Sequence, residues 1–499
     1  MNIYEWFALA AATTILAFAV SQGWLALKYL MSPDAAEHIA EVPRQIQQFP
    51  SVLIQLPIYN EGRIVERLLE FVSRLNYPAD KLSIQLLDDS TDETTQIAAI
   101  AIKQIAIESG LQIQHVRRGS RQGYKAGAMA HGLGIERIPS ELVAVFDADF
   151  APNPDFLLKT VPLFNDPRVG MVQTRWQHQN ANQNIVTRLM SMAIDNHFVV
   201  EHGGRQAAGC FINFNGTAGV WRSAAISNAG GWSSDSLTED LDLSFRAQMA
   251  GWKCVYLPTV QTPSELPANL SDLRTQQFRW TKGALEAAQK LIVPLWQSSA
   301  SIQAKVFGSL QLLAGIQFPC ALIFGLSALA FHYTYPNGGI FAYQAIADVM
   351  LVATLSVSFS FLVTQWALGQ KAPRQLLGAF LKVQVFMLFA VGFAVQNTWA
   401  VTEAIFHRKT EFIRTPKAGG NALNAKNNLS LPREKKIPKY FYVEIVLALL
   451  FSMAAVREIT QWRSTILPLF GILAGNAIGF GVMSTLTLRE FFGYNGDVR

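Results

Sequence analysis

The placement of apolar residues constrains this chain more than any motif. Residues 6–27 form an uncharged stretch long enough to cross a hydrocarbon core of about 30 Å. Nothing comparable follows until about residue 300, where apolar stretches return at roughly 306–333, 340–368, 376–406, 440–456 and 465–487. A segment in lipid must satisfy its own backbone hydrogen bonds, so these are read as helices. The layout predicts a multi-span α-helical membrane protein with one large non-membrane domain inserted after its first span. Only 15% of the residues are charged, against about 25% in ordinary soluble domains, as that partition requires.

The first span is expected to be retained. A cleaved signal begins with positive charge, whereas the only early side-chain charge is Glu5 and basic residues come after the apolar run. Three cysteines, Cys210, Cys254 and Cys320, offer no disulfide framework and suit a reducing cytosol. A net charge of +5 fits basic loops on the inner side of a membrane. No basic stripe interleaved with aromatics points to nucleic acid. The expected boundaries are 1–31 for the N-terminal helix, 32–50 for a linker and 51–270 for the inserted domain. Amphipathic interfacial helices follow at 271–300, transmembrane and interfacial helices at 301–406, a loop and linker at 407–438, and two further spans at 439–499.

Within 51–270 the pattern alternates. "SVLIQLPIYNE" (51–61), "LSIQLLDDSTDET" (82–94), "LQIQHVRR" (111–118) and "ELVAVFDADF" (141–150) read as strands, with helical stretches between them. That alternation predicts an α/β domain with a parallel sheet and crossover helices. Ligands of such sheets bind beyond the carboxyl ends of the strands. Polar and acidic groups end three of these runs: Asn60-Glu61, Asp88-Asp89 and Asp147/Asp149.

Two carboxylates one residue apart repel unless something positive lies between them. On a strand, residues i and i+2 share a face, so Asp147 and Asp149 are expected to aim at one Mg²⁺ or Mn²⁺. Such an ion takes one or two carboxylates and completes its shell with phosphates and waters. Asp88 and Asp89 are candidates for holding a nucleotide, and Lys125 opens a helix whose amino end suits phosphate. Glu239 and Asp240 begin another helix, where acids also serve as ordinary caps. Gln276, Arg279 and Trp280 in "RTQQFRW" sit on an amphipathic helix suited to a membrane surface.

The order of these motifs carries a resemblance. "LPIYNE", "QLLDDSTDET", "GYKAGA", "VFDADF", "FNGTAGVWR", "TEDLDLSFRA" and "QQFRW", followed by spans, resemble the processive family-2 glycosyltransferases of the cellulose synthase superfamily. Within it they resemble the plant cellulose-synthase-like A group, which makes β-mannans and glucomannans. The resemblance implies a GT-A-like nucleotide-sugar-binding domain that forms a β-1,4-linked polymer with inversion. GDP-mannose is the favoured donor and UDP-glucose the other. It implies that Asp88, Asp89 and Lys125 hold the nucleotide and that Asp147 and Asp149 hold the metal and diphosphate. Asp240 would be the general base, with Glu239 raising its pKa. Gln276, Arg279 and Trp280 would grip the acceptor end and the leaving diphosphate, and Asn215, Gly216 and Thr217 would line the acceptor site. "TEFIRTPK" (410–417) resembles the cellulose synthase gating loop, with Phe412, Thr415 and Lys417 matching and Arg414 departing from it.

The partners implied are a nucleotide-sugar donor, a growing polysaccharide and the lipid bilayer, at a plasma or inner membrane. Basic flanks at Lys28, Arg44, Lys282, Lys290 and Lys305 put the inserted domain in the cytosol and the N-terminus outside. Residues 383–406 have basic flanks on both sides and are expected in the interface, leaving five spans. Two other readings stand beside this one: a non-processive glycosyltransferase acting on a ceramide-type lipid, and a membrane transporter or scaffold without catalysis. Coupled export of the polymer would run along polar and aromatic residues such as Gln311, Gln396, Asn397 and Trp399.

Overall fold

The computed structural model describes residues 2–32, 48–136, 139–334, 340–410, 437–460 and 467–493. The gating-loop residues Phe412, Thr415 and Lys417 lie outside these, as does most of the 32–50 linker.

The four expected strand runs form β1 (Val52–Ile58), β2 (Leu82–Asp88), β3 (Ile113–Val116) and β4 (Leu142–Val145). Helices α1 (Ile3–Met31), α2 (Val65–Ser73), α3 (Thr94–Ser109) and α4 (Tyr124–Gly134) precede and connect them. β1 pairs in parallel with β2 on one side and β4 on the other. Alternate residues build two cores. Val52, Ile54 and Leu56 pack with Val65, Leu68, Leu69 and Ala98, whereas Val143 and Val145 pack with Ala126 and Met129.

The sheet is larger and more mixed than expected. It has seven strands in the order β3-β2-β1-β4-β6-β5-β7, adding β5 (Val169–His178), β6 (Gly219–Arg222) and β7 (Lys253–Ser264). β6 runs antiparallel to both β4 and β5. Because the chain leaves β1 first toward β2 and later returns to β4 on its other edge, the switch point lies between β1 and β4. A crevice opens beyond the strand ends there.

After α5 (Ile185–Asn196) and α6 (Glu239–Met249), the chain enters α7 (Leu270–Gln297) and α8 (Ile302–Leu312). Then come α9 (Gln317–Thr334), α10 (Ile340–Ala367), α11 (Pro373–Val391), α12 (Ala394–Ile405), α13 (Lys439–Thr460) and α14 (Leu467–Phe491). Among the described residues six helices are long and apolar enough to cross a membrane, one more than the five expected. The difference lies in the stretch read as 376–406. It is two helices, broken at Gly392 and Phe393, and its long apolar run is Pro373–Val391 rather than 383–406. The remainder, α12, packs along α7.

α7 is tied to the membrane helices by charge. Arg274 forms a bidentate pair with Glu444 on α13, at 2.8 Å for each bond, and both side chains are buried. Gln396 on α12 accepts from the same guanidinium at 3.2 Å and donates to the Arg274 carbonyl at 2.6 Å. Two of the polar residues read as candidates for a polymer path are thus engaged: Gln396 here, and Gln311, which donates to Asn213 at 2.6 Å. Lys282, counted above as a basic flank, is fully buried and pairs with Glu403.

Candidate active site

The crevice at the switch point is a cleft of about 1320 Å³, counting the part open to solvent. Each wall comes from the end of an element. Tyr59 and Glu61 follow β1, Asp89 follows β2, and Asp147, Asp149 and Phe150 follow β4. Arg121 and Lys125 come from the start of α4, Glu239 and Asp240 from the start of α6, and Gln276, Arg279 and Trp280 from α7. The candidate residues Asp89, Lys125, Asp147, Asp149, Asn215, Gly216, Glu239, Asp240, Gln276, Arg279 and Trp280 therefore meet on one surface.

Three expectations need correction. β4 ends at Val145, so Asp147 and Asp149 sit on the turn beyond it, and strand alternation is not what brings them together. Asp88 is the last residue of β2 and does not line the cleft. Its Oδ1 accepts from the Ser90 N–H at 2.8 Å and its Oδ2 faces His115 Nε2 at 2.9 Å, so it braces the turn that presents Asp89. Burial opposes ionisation of Asp88, but these hydrogen bonds outweigh it and hold its pKa well below the usual carboxylate range. Thr217 is fully buried behind the wall, where its hydroxyl accepts from the Asp147 N–H at 2.8 Å.

Several contributors have no motif of their own. Arg118 binds both oxygens of Asp89, at 2.7 and 2.5 Å, and fixes the carboxylate in the cleft. The Arg121 guanidinium stacks 3.4 Å from the Tyr59 ring centre. Asn215 is held between two imidazoles, with its Oδ1 3.0 Å from His197 Nε2 and its Nδ2 2.9 Å from His202 Nε2. Both histidines lie on a π-helical turn, His197–His202, a rare geometry that is frequent near functional sites. Asn60 and Tyr124, with φ of 54° and 47°, also sit beside cleft residues in a conformation non-glycine residues rarely adopt.

Charge is organised around Lys125. Its Nζ donates to Asp147 Oδ1 at 2.5 Å and to the Gly216 carbonyl at 2.8 Å. Burial works to lower its pKa, but Asp147 and the Glu239–Asp240 pair outweigh that and raise it. Gly216 has φ +80°, and a Cβ there would stand 3.0 Å from Asp240 Oδ2, so glycine lets the loop approach both charged groups.

Asp240 has its pKa pushed up to about 7, first by burial and then by the charge of Glu239 beside it. Glu239 is raised in the same direction, chiefly by burial. Were Asp240 the base that the resemblance implies, it would have to be ionised to act, and turnover would rise with pH through about 7 and level off above it. Glu239→Gln removes the neighbouring charge and should move that acid limb to lower pH. A pH–kcat profile checks this, and an unmoved limb would mean that Asp240 does not feel Glu239.

Among the described residues, no group of three or more His, Cys, Asp or Glu forms a complete metal cage. The donor set is two carboxylates, which fits an ion that a ligand's diphosphate helps to coordinate. Gln276 Oε1 is buried with no protein hydrogen-bond partner among the described residues.

Fold and cleft together define a GT-A-like α/β domain joined to helices long and apolar enough to cross a membrane. Comparison with known proteins narrows the class. A family described as "Glycosyltransferase like family 2" matches residues 50–283, and one described as "Cellulose synthase" matches 223–369. Glucomannan 4-beta-mannosyltransferase 7 of Arabidopsis thaliana is 32% identical over 447 residues, covering 87% of this chain and 77% of that protein. Probable glucomannan 4-beta-mannosyltransferase 3 of Oryza sativa is 34% identical over 369 residues, covering 72% of this chain and 66% of the rice protein. The fold resembles a mannosyltransferase from Pyrobaculum calidifontis, solved with GDP-mannose and Mn²⁺, at 18% identity and a TM-score of 0.51, covering 80% of this chain and 100% of that one. The chain belongs to the family-2 glycosyltransferases of the cellulose synthase superfamily, in the cellulose-synthase-like group of the glucomannan 4-beta-mannosyltransferases.

Proposed function

We propose that this protein is a processive β-mannan synthase, transferring mannose from GDP-mannose to a growing β-1,4-linked chain. The observation that carries this reading is the convergence of Asp89, Lys125, Asp147, Asp149, Asp240 and the Gln276–Trp280 face in one cleft. It occurs in a chain aligned over 87% of its length with a glucomannan 4-beta-mannosyltransferase.

Asp89, fixed by Arg118, holds the nucleoside end. Asp147 and Asp149 would hold a divalent ion, Mg²⁺ or Mn²⁺, which would supply positive charge beside the donor's diphosphate. Lys125 and Arg279 add positive charge on the same side, where Arg suits bidentate phosphate contact. Trp280, 37% exposed, offers a flat face to the acceptor sugar. Asp240 takes the proton of the attacking hydroxyl. The acceptor oxygen bonds to the donor's anomeric carbon as the bond from that carbon to the phosphate oxygen breaks, and the nucleoside diphosphate departs. Attack opposite the leaving group inverts an α-linked donor to a β-linkage.

The inserted domain then faces the cytosol, where nucleotide sugars are made, with the N-terminus of α1 on the other side. The polymer would then leave across the membrane beside the long apolar helices. Purified protein supplied separately with GDP-mannose and UDP-glucose, each with Mn²⁺ or Mg²⁺, tests the donor. Turnover of GDP-mannose to a product that mannanase digests is expected. Turnover of UDP-glucose alone, to a product digested by cellulase, would overturn the donor assignment.

A further inference from the structure

A buried cation on the acceptor helix lies behind the turn that carries Asp240, with Glu286 between them. Lys282 lies on α7 two residues beyond Trp280 and has no exposed surface. Its Nζ donates to Glu403 Oε2 at 3.1 Å, to the Arg408 carbonyl at 2.5 Å and to the Thr410 hydroxyl. Glu286, one turn further along α7, lies 3.9 Å away. The other Glu286 oxygen, Oε2, accepts from the Leu237 N–H at 3.0 Å, and Leu237 opens the turn that runs through Thr238 and Glu239 to Asp240. α7 also touches this turn directly: a Cβ on Gly283 would stand 2.6 Å from Thr238 Cγ2 and 2.9 Å from the Thr238 nitrogen.

Two parts of the chain therefore meet at one ammonium, the acceptor helix α7 and the residues leaving α12. The base-bearing turn is reached one step further on, through Glu286 and Gly283 of α7. Stability alone does not explain a cation here. Burying an ammonium is costly even when paired, and a well-packed apolar side chain often does as well or better. What an ammonium adds is direction, since its three N–H groups fix several acceptors at once. Gln276, Arg279 and Trp280, on the same helix, face the cleft that Asp240 also lines. The distance from Asp240 to an acceptor hydroxyl thus depends on how α7 meets the Thr238–Asp240 turn.

We infer that Lys282 is a positioning residue, holding the base-bearing turn and the acceptor face of α7 in one fixed relation. This rests on the reading of Asp240 as the base. The donor residues Asp89, Asp147 and Asp149 are built on other elements, and Arg279 is the donor-side group carried by α7.

The test uses the full chain in detergent and whichever of GDP-mannose or UDP-glucose the wild-type protein turns over, so an error in the donor assignment leaves it intact. Three quantities are measured: kcat for transfer to polymer, kcat for donor hydrolysis by water, and binding of the matching nucleoside diphosphate with Mn²⁺. Water needs no alignment of α7, so hydrolysis serves as the internal reference. In Lys282→Met, misalignment should lower transfer by about tenfold or more, while nucleotide affinity stays within about twofold. The ratio of transfer to hydrolysis should fall, and Lys282→Arg should restore most of it. Wild-type transfer in Lys282→Met would overturn the inference. So would a loss of nucleotide binding in step with transfer, which would mark Lys282 as a general support of the cleft. If Lys282→Met does not fold, Glu403→Gln and Thr410→Val each remove one partner and are read the same way. An unchanged transfer-to-hydrolysis ratio in both would overturn the inference.

Discussion

Asp240→Asn is expected to lower kcat by about 10²–10⁴-fold and to leave donor binding intact. The substitution keeps the size of the side chain and one hydrogen-bond acceptor, so the bond from the Leu241 N–H to Asp240 Oδ1, 2.8 Å in the wild type, has a counterpart. What it removes is the group proposed to take the acceptor's proton. Asp89, Asp147 and Asp149 stand on the ends of β2 and β4 rather than on α6, so the donor pocket should persist. Equilibrium binding of the nucleoside diphosphate with Mn²⁺, measured beside single-turnover rates, separates the two effects. Near-normal turnover would pass the role of base to Glu239, the adjacent carboxylate at the start of α6.

The second large effect is on stability. Glu444→Leu leaves Arg274 buried without its counter-charge, and breaking such a pair costs about 3–5 kcal/mol. Gln396 still accepts from Arg274 at 3.2 Å and Thr487 at 3.3 Å, but neither carries charge. Thermal unfolding of the detergent-solubilised protein should show a large drop in Tm. The double variant Arg274→Met/Glu444→Leu should recover most of it, because replacing both partners with apolar groups removes the unpaired charge. If the single variant melts like wild type, the Arg274–Glu444 pair does not secure α7 to α13.

The donor half of the cleft was the more legible part of the sequence. β1, β2 and β4 are short, largely apolar runs, and the polar residues that enter the cleft follow each strand within a few positions. Strand, turn and ligand group are local there. The other three strands are harder to read. β6 is only four residues long. β7 contains Pro258 and Pro263, and proline usually argues against a strand. Motif membership also did not say which side chains face the cleft. Asp88 and Thr217 belong to the same short motifs as Asp89 and Gly216, yet each turns inward to brace the backbone. The long-range pairs left no trace in the chain. Arg118 meets Asp89 across 29 residues and Arg274 meets Glu444 across 170. The stretch 376–406 misled for a local reason, since its apolar character continues through the break at Gly392.

The central claim is a single displacement at the anomeric carbon, driven by Asp240 on a donor held at Asp147 and Asp149. The configuration of the newly formed linkage tests it most directly. NMR of the oligosaccharide formed from an α-linked nucleotide sugar and a short acceptor reads that configuration from the one-bond C1–H1 coupling of the new residue. The account predicts a β-linkage alone. An α-linkage would contradict it, because retention requires a second displacement or front-face attack that one base opposite the leaving diphosphate does not provide.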